Sequence, residues 1–372
     1  MTVTAPEVPA KGRSLWDDAR DRLMANRAAV TSLFVLVAIA LLSVFGPMLS
    51  PHDFDTVYRD YVKVRASLQA YPRAEQVEPG FLAALKRARL SVESYRRDGD
   101  SVVASVSSRR EIDPRAVRYV DRSNLFRNAQ LSDISADGKS AVMKADIDHM
   151  HFYFGTDSNG RDMMARTFIA GRVSLTIGLL ATIVAISIGV LYGATSGYLG
   201  GRTDQMMMRV VDVLYSLPFI FFVIMLVVFF GRNFVLMFIA VGAVEWLDMA
   251  RIVRGQTLSI KRQEYVQAAE AMGVSDSGIV RRHIIPNTLG PVVVYMTLLV
   301  PKVILLESFL SFLGLGIQEP MTSWGVLISE GARNLQGAAW MLIFPSIFLT
   351  STLFALNFIG DGLRDALDPK DR

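Results

Sequence analysis

Long apolar runs alternate with polar intervals along this chain, and the alternation predicts its architecture. A helix needs about 20 apolar residues to cross the hydrocarbon core of a bilayer. Six runs come close to that length: 30–48, 173–198, 210–230, 234–250, 291–313 and 339–359. Pro218 lies inside the third run and predicts a kink there. The pattern therefore predicts an all-α polytopic membrane protein with six transmembrane helices.

The composition supports the same class of protein. Of the 372 residues, 51% are hydrophobic and 20% are charged, which is too apolar for a soluble domain of this size. The net charge of +4 gives no indication of nucleic-acid binding. Cysteine is absent, which excludes disulfides and thiolate metal ligands. The histidine pair His149 and His151 has no clustered ligands beside it in the sequence, so no metal site is predicted.

The basic residues predict the orientation, because short loops rich in Lys and Arg stay on the cytoplasmic side of a membrane. Counted with the N-terminus inside, sixteen Lys and Arg fall in the inner segments and two in the short outer loops. The inner segments are 1–29, 200–209, 251–283 and 361–372. The chain is therefore predicted to be a multi-pass protein of the cell (inner) membrane with both termini in the cytoplasm.

The domain boundaries follow from these runs. The first run lacks the small-residue site of a cleavable signal peptide, so it is predicted to be a retained span. The predicted domains are a cytoplasmic N-terminal segment (1–29), the first transmembrane helix (30–49), an extracytoplasmic insert (50–154), a helical core with the other five spans (155–360) and a cytoplasmic tail (361–372).

The insert between the first two spans is predicted to be a small α+β domain. Long loops cross a membrane largely regardless of their charge, so its many charged residues do not change the topology. Residues 78–97 predict an amphipathic helix, and 98–108 and 134–147 predict strands with Asp-Gly turns. The GKS sequence at 138–140 lacks the upstream glycine of a phosphate-binding loop, so no nucleotide site is predicted there.

A polar, basic interval at 251–287 separates two of the apolar runs. An apolar stripe at i, i+3, i+4 and i+7 predicts a short helix in its middle, formed by Tyr265, Ala268, Ala269 and Met272. Gly273 follows as a helix stop because glycine adopts a positive φ without steric cost. Ser275 is placed to cap a second short helix. Two short helices that meet at a glycine predict a stiff projection suited to a groove on another protein.

This interval resembles the cytoplasmic coupling loop of the permease subunits of ABC importers. The family pattern is Glu-Ala-Ala, three residues, Gly, and a Pro thirteen residues further on. Ala268, Ala269, Gly273 and Pro286 keep this register, and Gln267 stands at the position of the Glu. The resemblance implies that an ATP-binding subunit contacts a surface made of Tyr265, Gln267, Ala268, Ala269, Met272, Gly273 and Pro286.

A second group of motifs resembles the dipeptide/oligopeptide branch of this binding-protein-dependent transport family. Gly-Thr-Asp, Gly-Arg-Asp and Gly-Arg-x-Ser-Leu follow one another at 155–157, 160–162 and 171–175. Further segments that resemble the same branch are 307–316, 324–325 and 359–370. The resemblance places Asp157, Arg161 and Asp162 on the side of the receptor. The alternative is a structured turn in which Arg161 and Asp162 pair locally and touch no substrate.

Ionisable residues inside the apolar runs are costly in a membrane and usually face a bundle interior or a water-filled cavity. Glu307, with Ser308 and Ser311, is predicted to form a polar patch that lines the translocation path. A helix–helix hydrogen bond is an equally good interpretation of Glu307. The predicted local ion pairs are Glu245 and Asp248 with Arg251 and Arg254, and Asp212 with Arg209.

The function that the resemblance implies is that of a permease subunit of an ATP-driven ABC importer, forming half of the path for di- or oligopeptides. The implied partners are a homologous second permease, two ATP-binding subunits, an extracytoplasmic solute-binding protein and the lipid bilayer, with no cofactor and no nucleic acid. The sequence shows neither a nucleotide site nor a serine nucleophile motif, so the chain is not predicted to be an enzyme. The alternatives are the same machinery for a nickel chelate, an opine or a peptide-like antibiotic, a secondary transporter driven by an ion gradient, and a membrane-anchored receptor or scaffold.

Overall fold

The computed structural model describes residues 15–231 and 234–367, so the extreme parts of both predicted cytoplasmic termini lie outside the described residues. Helices dominate it. In chain order they are α1 (Leu15–Ala25), α2 (Arg27–Leu49), α3 (Ala74–Arg87), α4 (Val117–Asp121), α5 (Met163–Leu199), α6 (Gly201–Ser216), α7 (Phe219–Phe230), α8 (Phe234–Ile260), α9 (Glu264–Ala271), α10 (Asp276–Ile279), α11 (Ile285–Phe312), α12 (Trp324–Arg333) and α13 (Trp340–Leu367). A π-helical turn, Val280–Ile284, joins α10 to α11.

The described residues form two compact units. The first, called the helical unit below, contains residues 15–42, 171–231, 234–326 and 347–367. The second, called the mixed unit, contains residues 43–170 and 327–346 and holds all four strands of the described chain.

Length and apolar composition identify four described helical runs that could cross a membrane: Arg27–Leu49, Met163–Leu199, Asp276–Phe312 and Trp340–Leu367. The pair α6 and α7 forms a fifth candidate, bent by 81° at its break. Pro218 lies at this break, where its missing N–H and its fixed φ interrupt the helix, so the predicted kink is confirmed. Pro301 and Pro345 do not interrupt α11 and α13. The mostly helical chain with several long apolar helices fits a polytopic membrane protein.

The prediction of six spans is not confirmed by length and composition, which identify four candidates among the described residues, or five with the bent pair. The fourth predicted run, 234–250, lies in α8. Glu245 and Asp248 fall inside this run, and Arg251 and Arg254 follow it directly. These charges lower the apolar character of α8 below that of the other long helices.

Glycines on one face of α5 let α8 approach it closely. Gly189, Gly193 and Gly197 are four residues apart and therefore share a helix face. A Cβ atom at Gly193 would lie 2.3 Å from the carbonyl oxygen of Ala250, and one at Gly197 would lie 2.8 Å from the Cβ atom of Thr257. Small residues at such positions allow the backbone contact on which helix association in membranes depends. The two helices therefore form a closely packed pair within the helical unit.

The mixed unit is built on a four-stranded antiparallel sheet with the strand order β1-β2-β4-β3. The strands are β1 (Ser91–Asp98), β2 (Ser101–Ser107), β3 (Phe126–Ser132) and β4 (Ser140–Ile147). Alternate residues of β2 and β4 are buried, as expected when one face of a sheet is covered. Phe81 and Leu85 of α3 are fully buried in the same core as Met143 of β4.

The helix predicted over 78–97 is wrong in its second half. The helix α3 ends at Arg87, the chain turns at Arg89 with a φ of 61°, and residues 91–98 form β1. Pairing with β2 satisfies the backbone hydrogen bonds of this segment, so the tertiary context overrides the amphipathic helical pattern. The Asp-Gly turn that follows is confirmed, with Gly99 at a φ of 61° between β1 and β2.

The variant Gly193→Leu should destabilise the protein, because its side chain would overlap the backbone of Ala250. We expect a loss of about 1–3 kcal/mol, the usual cost of overpacking, seen as a lower melting temperature of the purified protein in detergent. Gly255→Ala in α8 is the matched control, since no described atom outside the local helix lies within 4 Å of a Cβ there. An unchanged melting temperature for Gly193→Leu would contradict the close approach of the two helices.

Candidate functional site

The segment with the coupling-loop pattern follows α8 and presents two faces on α9. Val266 and Ala269 are buried in a cluster of the helical unit that includes side chains of α5 and α8. Tyr265, Ala268 and Met272 are exposed. The predicted apolar stripe is therefore divided: Ala269 packs inside its own chain, and the other three residues form an outer surface.

Gly273 ends α9 with the positive φ that the sequence predicted. Its φ is 78°. The N–H of Val274 donates to the carbonyl of Ala269 at 3.1 Å, and the N–H of Gly273 donates to the carbonyl of Glu270 at 3.0 Å, which is the Schellman arrangement of a helix C-terminus. No atom of the described chain beyond its immediate neighbours lies within 4 Å of a Cβ at this position, so the backbone conformation, and not space, requires glycine.

The second short helix is not a separate element. The hydroxyl of Ser275 accepts a hydrogen bond from the N–H of Gly278 at 3.4 Å and caps α10, as predicted. The chain then continues through the π-helical turn into α11, so that 276–312 form one helical run. Pro286 is the second residue of α11 and directly follows the π-helical turn. Gln267 is exposed on α9.

Tyr198, near the C-terminus of α5, contacts both sides of the Gly273 turn. Its hydroxyl lies 3.1 Å from Oε1 of Glu270 and 3.2 Å from Oδ1 of Asp276, so it can donate to either carboxylate. Lys261 donates to the carbonyl oxygen of Tyr198 at 2.6 Å and lies over its ring at 4.8 Å. These contacts bind the turn to α5. No local pattern in the sequence identifies Tyr198, because its partners are more than 60 residues away.

The basic residues at the end of α8 bond to α6. The guanidinium of Arg254 donates two hydrogen bonds of 2.6 Å to Asp204, and Arg251 donates to Asp212 at 2.9 Å. Lys302 of α11 instead bonds the acids of α8. The predicted local pairs are therefore wrong, both for Glu245 and Asp248 with Arg251 and Arg254 and for Asp212 with Arg209. The packing of neighbouring helices offers each charge a partner that its own helix does not.

Glu307 is fully buried between helices of the helical unit. Its carboxylate accepts hydrogen bonds from Ser311, one turn later on α11, at 2.7 Å and from Ser174 of α5 at 3.4 Å. Ser308 is half-buried beside Gly325, where a Cβ atom would lie 2.4 Å from its Cα atom. In this structure Glu307 therefore makes the helix–helix hydrogen bonds of the alternative interpretation.

Asp157 is the centre of a buried ion-pair network in the mixed unit. Its carboxylate accepts hydrogen bonds from Arg161 at 2.7 Å and from Arg166, which also lies 3.3 Å from Glu330. The backbone N–H groups of Asn159 and Arg161 each donate to Asp157 at 2.8 Å. The carboxylate is fully buried, and so is the guanidinium of Arg166. Buried charges of this kind are tolerated when every partner is present.

Asp162 makes a different set of contacts from the pair with Arg161 that the sequence suggested. It accepts hydrogen bonds from the N–H of Ala165 at 2.9 Å and from the hydroxyl of Ser50 at 3.0 Å, and thereby caps α5. Burial raises the pKa of this carboxyl group above its usual value. Asp157, Arg161 and Asp162 are all buried inside the mixed unit, where their side chains hold a turn together.

The described chain combines long apolar helices with an exposed helix, α9, that ends at a glycine, which fits a membrane protein with a contact surface for a partner. Residues 160–372 match the family described as the binding-protein-dependent transport system inner membrane component. Residues 14–70 match a second family, described as the N-terminal TM domain of oligopeptide transport permease C. The chain belongs to the binding-protein-dependent transport system inner membrane components.

The relatives narrow this assignment. The chain is 48% identical over 366 residues to the oligopeptide transport system permease protein OppC of Escherichia coli K12, covering 98% of this chain and 95% of that protein. It is 35% identical over 368 residues to OppC of Bacillus subtilis 168, covering 99% and 94%. The dipeptide transport system permease protein DppC of Bacillus subtilis 168 is 49% identical over 221 residues, covering 59% and 69%. The first two alignments include the insert, so its length is not peculiar to this chain.

The variant Asp157→Asn should destabilise the mixed unit, because it removes the buried carboxylate that bonds both Arg161 and Arg166. The expected loss is about 3–5 kcal/mol, the cost of removing one partner of a buried ion pair. Asp98→Asn is the control, since the Arg96–Asp98 pair is exposed and should be worth at most about 1 kcal/mol. Equal melting temperatures of the two variants in detergent would contradict the structural role of Asp157.

Proposed function

We propose that this chain is one of the two membrane subunits of an ATP-driven importer and forms half of its path for oligopeptides. The observation that carries the proposal is the exposed face of α9, made by Tyr265, Ala268 and Met272, on a helix whose opposite face is packed into its own chain. Met272 is 76% exposed, as expected of an apolar side chain that a partner covers. The position of α9 on the coupling loop supports an ATP-binding subunit as that partner.

The substrate class rests on the relatives. The proteins that match this chain over nearly its whole length are named oligopeptide transport system permeases, and a dipeptide permease matches over a shorter part. A solute of this size and polarity needs a wide, hydrated path. A solute-binding protein would deliver it from outside, and a homologous permease would complete the path.

The proposed topology has six spans, with both termini and α9 in the cytoplasm and residues 50–154 outside. The excess of basic residues in the inner segments supports this orientation. The fourth of the proposed spans is α8, whose 27 residues rise about 40 Å along the helix axis. Its acids, Glu245 and Asp248, are bonded to Lys302 of α11, which lowers the cost of placing them in a membrane.

Energy would enter this chain through α9. Its buried residues Val266 and Ala269 pack in one cluster with Ala194 of α5 and Val253 of α8, and Tyr198 bonds both sides of the following turn. A displacement of α9 would therefore move the closely packed pair α5 and α8 with it. Changing a two-state equilibrium from 1:99 to 99:1 takes about 5.5 kcal/mol of differential binding. ATP-binding subunits whose two states bind α9 with different affinities would supply this energy.

The variant Gly273→Val should uncouple transport from ATP hydrolysis, because a β-branched residue at a φ of 78° is strained and would distort the end of α9. In proteoliposomes that contain the complete importer, we expect peptide uptake to fall roughly tenfold or more, for a strain of about 1–3 kcal/mol.

Gly273→Asn is the matched control, since asparagine adopts the left-handed conformation at low cost and should retain most of the uptake. Uptake by the valine variant at the wild-type rate would contradict the coupling role of this turn. Failure of the wild-type importer to carry any peptide would contradict the proposed function itself.

Replacing residues 74–147 with a short Gly-Ser linker should impair peptide delivery while the ATP-binding subunits still copurify. The replacement is feasible because Tyr71 and Met150, just outside the deleted segment, exchange two backbone hydrogen bonds of 2.8 Å. We expect little uptake of peptide delivered by the solute-binding protein, while the purified complex keeps its normal complement of subunits. Loss of the ATP-binding subunits from the purified complex would contradict the proposed topology.

A further inference from the structure

A cluster of three charged residues joins α8 to α11 and is not explained by the coupling role. The ammonium group of Lys302 on α11 donates to Oε2 of Glu245 at 2.7 Å and to Oδ2 of Asp248 at 3.1 Å, both on α8. These three residues are called the Lys302 cluster below. Glu245 is buried, with 5% of its side chain exposed, whereas 25% of Asp248 and 50% of Lys302 are exposed.

The Lys302 cluster lies well inside both helices. At a rise of 1.5 Å per residue, Lys302 is about 15 Å from the C-terminus of α11, and Glu245 is about 17 Å from the N-terminus of α8. These two helix ends are the outer ends in the proposed topology. Half the thickness of a hydrocarbon core is also about 15 Å. The cluster therefore falls near the middle of the membrane.

The exposure of Lys302 decides what it faces. An ammonium group in contact with lipid tails near the middle of a bilayer costs several kcal/mol, so such a group faces protein or water. The open side of the Lys302 cluster is therefore a polar surface directed away from lipid.

The charge of the Lys302 cluster is unbalanced. It contains two carboxylates and one ammonium group, which leaves one negative charge when all three are ionised. Two of the three ammonium N–H groups of Lys302 are used by the acids. The more exposed acid is Asp248, held at the longer distance of 3.1 Å. A second ammonium group could replace Lys302 at Asp248 while Lys302 keeps its shorter bond to Glu245.

We propose that the Lys302 cluster is a binding site for the N-terminal ammonium group of a peptide on its way through the membrane, with Asp248 as the group that receives it. The inference rests on the proposed function as a peptide permease. Linear peptides differ in their side chains but share this ammonium group, so one site serves many sequences. One ammonium group replaces another at Asp248, so the net gain in binding free energy is small. The peptide therefore binds weakly enough to leave the site again.

The test compares two peptides in proteoliposomes that contain the complete importer. One is Ala-Ala-Ala, and the other is the same tripeptide with an acetylated N-terminus, each at a concentration that saturates the solute-binding protein. Asp248→Asn should lower the uptake of the free peptide about tenfold, the size of one lost charge-assisted contact, and leave the uptake of the acetylated peptide within about twofold. Asp248→Glu should restore most of the uptake of the free peptide.

Asp212→Asn is the matched control, since Asp212 also lies in an exposed ion pair, with Arg251, but outside the Lys302 cluster. The importer that contains Asp212→Asn should take up both peptides at rates within about twofold of wild type. An equal loss of both peptides in Asp248→Asn, or no loss of either, would overturn the proposal. Wild-type importer that carries neither peptide would instead overturn the proposed function, so the two failures are distinguishable.

A second measurement uses the absence of cysteine from this chain. The variant Asp248→Cys should react with a charged, water-soluble thiol reagent, and Ala-Ala-Ala should slow that reaction during turnover. The same substitution at Val37, an exposed apolar residue near the middle of α2, gives the comparison for an apolar position far from the cluster in the sequence. Failure of Asp248→Cys to react at all would show that water does not reach the cluster and would overturn the proposal.

Discussion

A charge in a low-dielectric membrane needs a partner within bonding distance, and the paired charges of α6, α8 and α11 described above find theirs on neighbouring helices. Arg254 of α8 bonds Asp204 of α6, and Lys302 of α11 bonds Glu245 of α8. Each such bond also specifies which helices are neighbours. The helix α8 takes part in both bonds and packs closely against the glycine face of α5, so it connects α5, α6 and α11.

The helix α9 and the turn that ends it are held by the same packed helices. The helix α9 follows α8 directly, its inner face is packed with residues of α5 and α8, and Tyr198 bonds the turn that ends it. The Lys302 cluster lies further along α8. In the proposed topology, one continuous helix, α8, therefore joins α9 at the inner surface to the Lys302 cluster near the middle of the membrane. Under the proposed function, this connection would carry ATP-driven motion of α9 to the translocation path.

In the mixed unit, too, a buried charge is surrounded by bonding partners. Asp157 receives two guanidinium groups and two backbone N–H groups, and its burial is tolerable because the network is complete. The motif that contains Asp157, Arg161 and Asp162 therefore stabilises a turn at the beginning of α5.

The sequence by itself determined the long apolar helices, the kink at Pro218, the positive φ of Gly273 and the register of the coupling loop. Each of these depends on the preferences and spacing of residues close together in the chain. Only the tertiary structure decided that Lys302 bonds the acids of α8, that Ala269 faces inward and that residues 91–98 form a strand. These features depend on which elements lie side by side, and local spacing carries no information about partners that are 50 or more residues away.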